Sequence, residues 1–193
     1  NGVVGSNIPV AVGAALSAKV QGKDSVSVVY FGDGAANQGS LHEAMNLASI
    51  WQLPVIFVCE NNRYAESTPS EYSIAGESVA KRAAGYDMPG VRADGQSALE
   101  MWEVGGEAVR RARAGDGPTL IEAMTYRYNG HFGADDPLTY RTQDEEDYYE
   151  GRDCIDQLKN HILDTGKATE ADLTALDEKA VVAVTGASKF ADE

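Results

Sequence analysis

Two hydrophobic periods alternate along the 193-residue chain. The runs "SVSVVYF" (25–31) and "PVIFVCE" (54–60) are almost continuously apolar and rich in β-branched and aromatic residues, the pattern of strands buried on both faces of a parallel sheet. Between them, "SLHEAMNLASIWQL" sets Leu41, Ala44, Met45, Ala48 and Trp51 on one helical face,. Upstream, Ile8, Val12, Ala15, Leu16 and Val20 share a face of a helix predicted over 8–20, with Asn7 as its cap and Pro9 tolerated in its first turn,. Strand, helix and strand in this order predict a right-handed crossover between parallel strands.

The alternation repeats more weakly downstream. "SVAKRAAGY" (78–86) reads as a helix, "GVRAD" (90–94) as a short strand, "ALEMWEVGGEAVRRARA" (98–114) as a helix and "TLIEAMTYR" (119–127) as a strand. The expected fold class is α/β, a parallel sheet with helices on both faces and a helical C-terminal segment. A polar loop runs from Asn129 to Thr142. Helical spacing then returns with Ile155, Leu158 and Ile162, stops at Gly166, and resumes behind a capping pair, Thr169 and Asp172, with Leu173, Leu176 and Ala180,. The domain expectation is an α/β domain over 1–142, lacking its N-terminal part, and a helical extension of the same domain over 143–193. The opening "NGVVGSNIP", without methionine and inside a Gly-rich loop, is expected to belong to a fragment.

Composition narrows the function classes. A formal charge of −14, from 30 acidic and 16 basic residues, argues against a nucleic-acid surface, which needs a basic stripe. No apolar run approaches the roughly 20 residues of a membrane-spanning helix, so no membrane partner is expected. Cys59 and Cys154 have neither metal-ligand nor redox-motif spacing,. Cys59, inside an apolar run, reads as a small buried hydrophobe, and a reducing compartment is the default.

The tripeptide Gly-Asp-Gly occurs twice, and its context differs. Gly115-Asp116-Gly117 follows a basic helix end and precedes Pro118 and a strand, which predicts a helix stop with glycine in the left-handed position. Gly32-Asp33-Gly34 does the reverse, leaving a buried strand and opening a helix. Ligands of open α/β sheets bind beyond the carboxyl ends of the strands. Asp33 therefore projects a carboxylate there, and Asn62, 29 positions on, ends the next strand. A carboxylate, an amide oxygen and a nearby backbone carbonyl make an incomplete shell of hard oxygens, which suits Mg²⁺ completed by substrate phosphates and water. The alternative, that Asp33 is a helix cap and Asn61-Asn62 a turn, holds for either motif alone. Strand-GDG-helix-strand-NN at this spacing is more specific.

This order resembles the thiamine diphosphate motif. More closely, the segments "GVVGSNIPVAVGAALSAK", "FGDGAANQGSLHEAMNLASIW", "ENNRYAEST", "GPTLIEAMTYRYNGH" and "DPLTYRT" resemble the alpha subunits of two-chain 2-oxo acid and acetoin dehydrogenases. The resemblance implies thiamine diphosphate and Mg²⁺ as cofactors. Asp33 and Asn62 would give side-chain oxygens to the metal, and Tyr64 its backbone carbonyl. Gly34 and Ala35 match backbone that meets the diphosphate. Gly2 and Val4 match positions on the aminopyrimidine side, and His131 matches a histidine at the root of a mobile loop, acting near the diphosphate and reacting centre. Implied partners are a beta subunit in an α2β2 assembly, a lipoyl-bearing acyltransferase and a 2-oxo acid or acetoin. Implied locations are the bacterial cytoplasm or the mitochondrial matrix.

Several features sit outside that pattern. Without the resemblance, His131 reads as a solvated loop side chain, His42 and His161 as helix residues, and Arg141 as a loop-ordering residue, with a surface ion pair nearly as good a reading. The glutamate that activates the aminopyrimidine ring comes from the beta subunit in this family, so Glu43 and Glu60 are read as structural. The family's upstream Tyr-Arg pair, which holds the diphosphate, has no counterpart here. Phe132 stands where animal pyruvate enzymes carry a regulatory serine, which removes a phosphate switch at that position. "GHFGADDP" and "ENNRYAESTP" lean towards an acetoin-type or general bacterial enzyme. Two alternatives remain open: a transketolase-like thiamine enzyme, and a non-catalytic or truncated assembly subunit. A P-loop is disfavoured because no Gly-Lys-Ser/Thr follows the glycines.

Overall fold

The computed structural model describes residues 2–192, and the side chains of 2–191. The sheet predicted from the apolar runs is present: β1 (Ser27–Gly32), β2 (Val55–Asn61), β5 (Gly90–Asp94) and β6 (Thr119–Met124) lie in the order β1-β2-β6-β5, all parallel. Side chains alternate across this sheet, so the central strands β2 and β6 feed two cores, whereas β1 buries only Val29 and Phe31 and leaves Val28 and Tyr30 exposed, not the double burial its apolar run predicts. Val55, Phe57, Cys59, Val29, Phe31 and Leu120 point to one face, under α1 (Asn7–Val20) and α2 (Gly39–Ile50), which supply Ile8, Val12, Ala15, Leu41, Ala44 and Met45. Ile56, Val58, Ile121 and Ala123 point to the other, under α4 (Ala98–Ala114), with Ala108 buried against them. This double burial is why β2 is apolar at five consecutive positions, 55–59, where an amphipathic strand would alternate.

Local details depart from expectation at several points, among them Val20 and Trp51, which are exposed at helix ends and not on the buried faces. Asn7 is not the cap of α1 but its first residue, and its Nδ2 donates to the Tyr30 carbonyl at 2.8 Å, tying the helix to β1. Residues Ala80–Tyr86 form a 3₁₀ helix, not an α-helix, closed by Asp87 in the left-handed region. Between β2 and this segment, β3 (Tyr64–Ala65) and β4 (Thr68–Pro69) make a small antiparallel hairpin, followed by the single turn α3 (Ser70–Ser73). The period-2 signal of two-residue strands is too short to read from sequence.

The described chain divides into two compact units, one ending at Gly151 and one beginning at Arg152. α5 (Gln143–Glu150) belongs to the first, where Tyr149 stacks on Tyr126 with ring centroids 4.0 Å apart. The second holds α6 (Cys154–Asp164) and α7 (Glu170–Asp192). Thr169 and Asp172 exchange the expected reciprocal hydrogen bonds at the start of α7. Lys159 on α6 pairs with Asp177 on α7 at 3.0 Å. Among the described residues no helix is long and apolar enough to cross a membrane.

Candidate functional site

Strand polarity separates the two Gly-Asp-Gly copies. Gly115 ends α4 with φ +82°, and Asp116, exposed, leads through Gly117 into the amino end of β6. Gly32-Asp33-Gly34 leaves the carboxyl end of β1, so the two copies lie at opposite rims of one sheet. At the β1 rim Asp33 is only 1% exposed, and its Oδ2 has no hydrogen-bond partner among the described residues. Burial pushes its pKa up, opposed by a backbone hydrogen bond and by the charge of Arg127. A buried carboxylate oxygen without a partner is costly unless a cation or donor meets it.

The neighbouring strand end supplies further oxygens. Gly32 pairs in register with Glu60, so Asp33 and the turn Asn61-Asn62-Arg63-Tyr64 emerge side by side. Asn61 Oδ1 accepts from Arg63 N and Asn62 Oδ1 from Tyr64 N, both at 3.1 Å, while Arg63 takes φ +75°. Each amide oxygen retains a lone pair, and Asn62 is half-buried. Among the described residues no cluster of three or more His, Cys, Asp or Glu could hold a metal. A cation here would be held by Asp33 Oδ2, Asn62 Oδ1 and the Tyr64 carbonyl, a mixed hard-oxygen set with room for ligand oxygens. The unpartnered Oδ2 fits that role.

The floor of the site is backbone. Gly34 opens a 3₁₀ turn over Ala35–Asn37 with φ −62°. A Cβ at Gly34 would lie 2.7 Å from the Ala65 side chain, so glycine is required by proximity to the β3–β4 hairpin and not by its dihedral angle. Gly5, with φ +80°, approaches Gln38, and a Cβ there would meet Gln38 Cγ at 3.1 Å. The opening loop bearing Gly2 and Val4 therefore abuts the start of α2, beside the Gly34 turn; both residues are exposed.

The segment after β6 wraps over this rim. Arg127 donates to the Tyr64 carbonyl at 3.2 Å, the Glu66 carbonyl at 2.8 Å and Tyr140 Oη at 3.0 Å. Tyr140 Oη donates to Asp135 Oδ2 at 2.7 Å, which also accepts from His131 N at 2.6 Å. Those two bonds hold the Asp135 carboxyl below its ordinary value. The ring of His131 is exposed, edge-on to Phe132. Arg141, whose side chain is 0% exposed, pairs with Glu146 at 2.7 Å and donates to the carbonyls of Arg127 and Tyr128. Of the two readings of Arg141, loop ordering is the one the geometry carries. Tyr64 and Tyr126 both donate to Glu145 on α5, and burial first, then that carboxylate, pushes the Tyr64 phenol up to about 12.

Comparison with known proteins adds the family. The model of the dehydrogenase E1 component matches residues 1–193, the whole chain. The chain belongs to the dehydrogenase E1 component family. Within it, the chain is 47% identical over 195 residues to the alpha subunit of acetoin:2,6-dichlorophenolindophenol oxidoreductase from Bacillus subtilis, covering 100% of this chain and 57% of that protein. It is 45% identical over 163 residues to the alpha subunit of 3-methyl-2-oxobutanoate dehydrogenase from Mycobacterium tuberculosis, covering 84% and 44%. It is 39% identical over 192 residues to the pyruvate dehydrogenase E1 component subunit alpha of Rhizobium meliloti, covering 99% and 55%. The chain thus spans about half the length of the curated relatives it matches.

Sequence reasoning missed two participants in this E1 rim. Arg127 was read only as the end of a strand, and Glu122 as a strand interior. Each acts through residues more than 40 positions away, and no local pattern announces such partners.

Proposed function

We propose that this chain forms the cofactor-binding half of an E1 alpha subunit that uses thiamine diphosphate and Mg²⁺ to act on a 2-oxo acid or acetoin. The observation that carries it is the buried, unpartnered Asp33 Oδ2 at a strand's carboxyl end, beside Asn62 and the Tyr64 carbonyl. Asp33, Asn62 and Tyr64 would hold the cation, which would supply positive charge for the diphosphate. The backbone at Gly34 and Ala35 approaches the phosphates, where no Cβ at Gly34 intervenes. Gly2 and Val4 border the aminopyrimidine side. When bound, thiamine diphosphate supplies a carbon nucleophile and an electron sink for breaking the bond next to a carbonyl. His131, on a loop root fixed through Asp135, stabilises charge or moves a proton near the reacting centre.

Two further chains take part: a beta subunit that completes the site in an α2β2 assembly, and a lipoyl-bearing acyltransferase that accepts the acyl group. The expected setting is the bacterial cytoplasm, or an organelle matrix in a eukaryote. Titration of the full-length chain, with its beta partner, by thiamine diphosphate with and without Mg²⁺ tests the reading. Metal-dependent binding that disappears in Asp33→Ala supports it; no binding in the assembled protein overturns it. Turnover of pyruvate, branched 2-oxo acids and acetoin with an artificial electron acceptor assigns the substrate.

A further inference from the structure

Glu122 lies in the middle of β6, 0% exposed, between Ile121 and Ala123. A carboxylate in a sheet interior is costly unless its oxygens are fully engaged. Here they are. Oε1 accepts from Asn61 Nδ2 at 2.8 Å, while Oε2 accepts from Ser78 Oγ and, at 3.2 Å, from Ala80 N, and the amide of Val79 adds to the set. Burial alone would raise the Glu122 pKa, but the donors from Ser78, Asn61, Ala80 and Val79 outweigh it and hold the group below its ordinary value. Each of these partners donates, and the Ala80 amide can do nothing else, so Glu122 acts here only as an acceptor.

That restriction propagates upward. Asn61 is 3% exposed, and because Glu122 cannot donate, the Asn61 amide must turn its Nδ2 inward. Its Oδ1 then faces outward and accepts from Arg63 N. The Asn61 carbonyl is also taken, by Thr125 N at 3.0 Å. The bond from Arg63 N to Asn61 Oδ1 helps hold Arg63 at φ +75°, a conformation that is unfavourable for a non-glycine residue and needs fixing from outside. Arg63 stands between Asn62 and Tyr64, the two cation donors of the turn.

The same carboxylate also anchors the start of the Ala80–Tyr86 segment. From that segment, Arg82 Nη1 donates to the Ala36 carbonyl at 2.6 Å and Nη2 to Asn37 Oδ1 at 2.9 Å. Those acceptors belong to the turn that follows Gly34. One buried acid is thus bonded to the cation-bearing turn directly, and to the phosphate-facing turn through a single intervening segment.

We propose that Glu122 is a positioning residue that sets the spacing and orientation of the Asn62 and Tyr64 oxygens for the cation, by locking Asn61 from beneath. The proposal rests on the thiamine diphosphate and Mg²⁺ reading above, and it goes beyond that reading because Glu122 touches neither group.

The test uses Glu122→Gln and the milder Ser78→Ala in the complete enzyme. An amide of the same shape cannot serve both sides: if Oε1 accepts from Asn61, Nε2 confronts the amides of Ala80 and Val79, and the flipped rotamer confronts Asn61 Nδ2. Two quantities are measured: the Mg²⁺ concentration that half-saturates thiamine diphosphate binding, and the affinity for thiamine diphosphate at saturating Mg²⁺. Mn²⁺ substituted at the site gives an independent spectroscopic signature of its geometry. Loss of a group that orients a metal ligand typically weakens affinity about 10–100-fold. The Mg²⁺ requirement is expected to rise by about tenfold or more in Glu122→Gln and by a smaller factor in Ser78→Ala, with an altered Mn²⁺ spectrum. Cofactor affinity at saturating metal should fall much less. An unchanged Mg²⁺ requirement in both variants overturns the proposal, as does an equal weakening of metal and cofactor binding, which is what general damage to the fold produces. If Glu122→Gln does not assemble, the two quantities in Ser78→Ala decide the matter by the same criteria. Wild-type enzyme that binds the cofactor without metal dependence overturns the functional reading itself, and this inference with it, so the two failures are told apart by the wild-type arm.

Discussion

Replacing Gly34 by alanine tests how tightly the rim is built. The added Cβ falls 2.7 Å from the Ala65 Cβ, whereas carbon atoms in contact sit roughly 3.5–4.0 Å apart. About 0.8 Å of relative movement is therefore required,. Gly34 already has right-handed helical dihedrals, φ −62° and ψ −44°, so alanine adds no backbone strain and the whole effect is steric. Neither Cβ can swing away by a rotamer change, so the turn or the hairpin must move. Overpacking of this kind costs about 1–3 kcal/mol, and for a chain of this size each kcal/mol lowers the melting temperature by about 2–4 °C. Thermal unfolding of four proteins, wild type, Gly34→Ala, Ala65→Gly and the double variant, measures it. Ala65→Gly alone costs about 0.5–1 kcal/mol, as glycine does in a strand, but it removes the atom that clashes. The double variant should then be more stable than the sum of the singles by about 1 kcal/mol or more. Strict additivity, or a Gly34→Ala melting temperature within about 1 °C of wild type, would refute the steric argument.

Three further outcomes are expected. Asp33 has a pKa raised by burial from 3.8, so its contribution to the stability of the cation-free protein is fully present below that unfolded value and is lost as pH rises through the folded one. Asp33→Asn should abolish that dependence, making the cation-free variant gain on wild type with rising pH, while Mg²⁺ and cofactor stabilise wild type alone; parallel melting curves against pH would contradict it. Tyr64→Phe removes the hydroxyl that donates to Glu145 but leaves the backbone carbonyl. It should cost about 1 kcal/mol while the Mg²⁺ requirement stays within about twofold, since a hydrogen bond of this size lies outside the ligand set; a larger change in the requirement would place the phenol in the cation site. Arg141→Met strands Glu146 and two carbonyls around a fully buried side chain, at a cost of about 3–5 kcal/mol. Limited proteolysis should then cut within 129–142 first, and an unchanged cleavage pattern would remove Arg141 from its ordering role.

The sheet was legible because double burial writes a long apolar run in β2 and β-branched and aromatic residues crowd β1, and β5 and α4 match their sequence boundaries, 90–94 and 98–114. Asp33 and Asn62 were legible because both stand at strand ends, one crossover apart. What escaped has a common physical cause. Glu122 sits inside an apolar run, and nothing in "TLIEAM" reveals that Ser78 and Asn61, 44 and 61 positions away, will satisfy its charge. Arg127 likewise reaches 63 positions back to Tyr64. The 3₁₀ character of 80–86 also escaped, because its alanines and glycine suit either helix and the choice is made by tertiary bonds to Glu122 and Ala36. Long-range hydrogen bonds leave no periodic trace in a sequence.

The repeated tripeptide has a consequence for how such motifs are searched. Its letters are the same at 32–34 and 115–117, yet only the first ends up with a dry carboxylate. The deciding information is an order of events along the chain: strand first and glycine second, or the reverse. A search string that includes the preceding hydrophobic run would discard the second copy without any structure. At the front of β6 the same three letters leave the Asp116 carboxylate in bulk water.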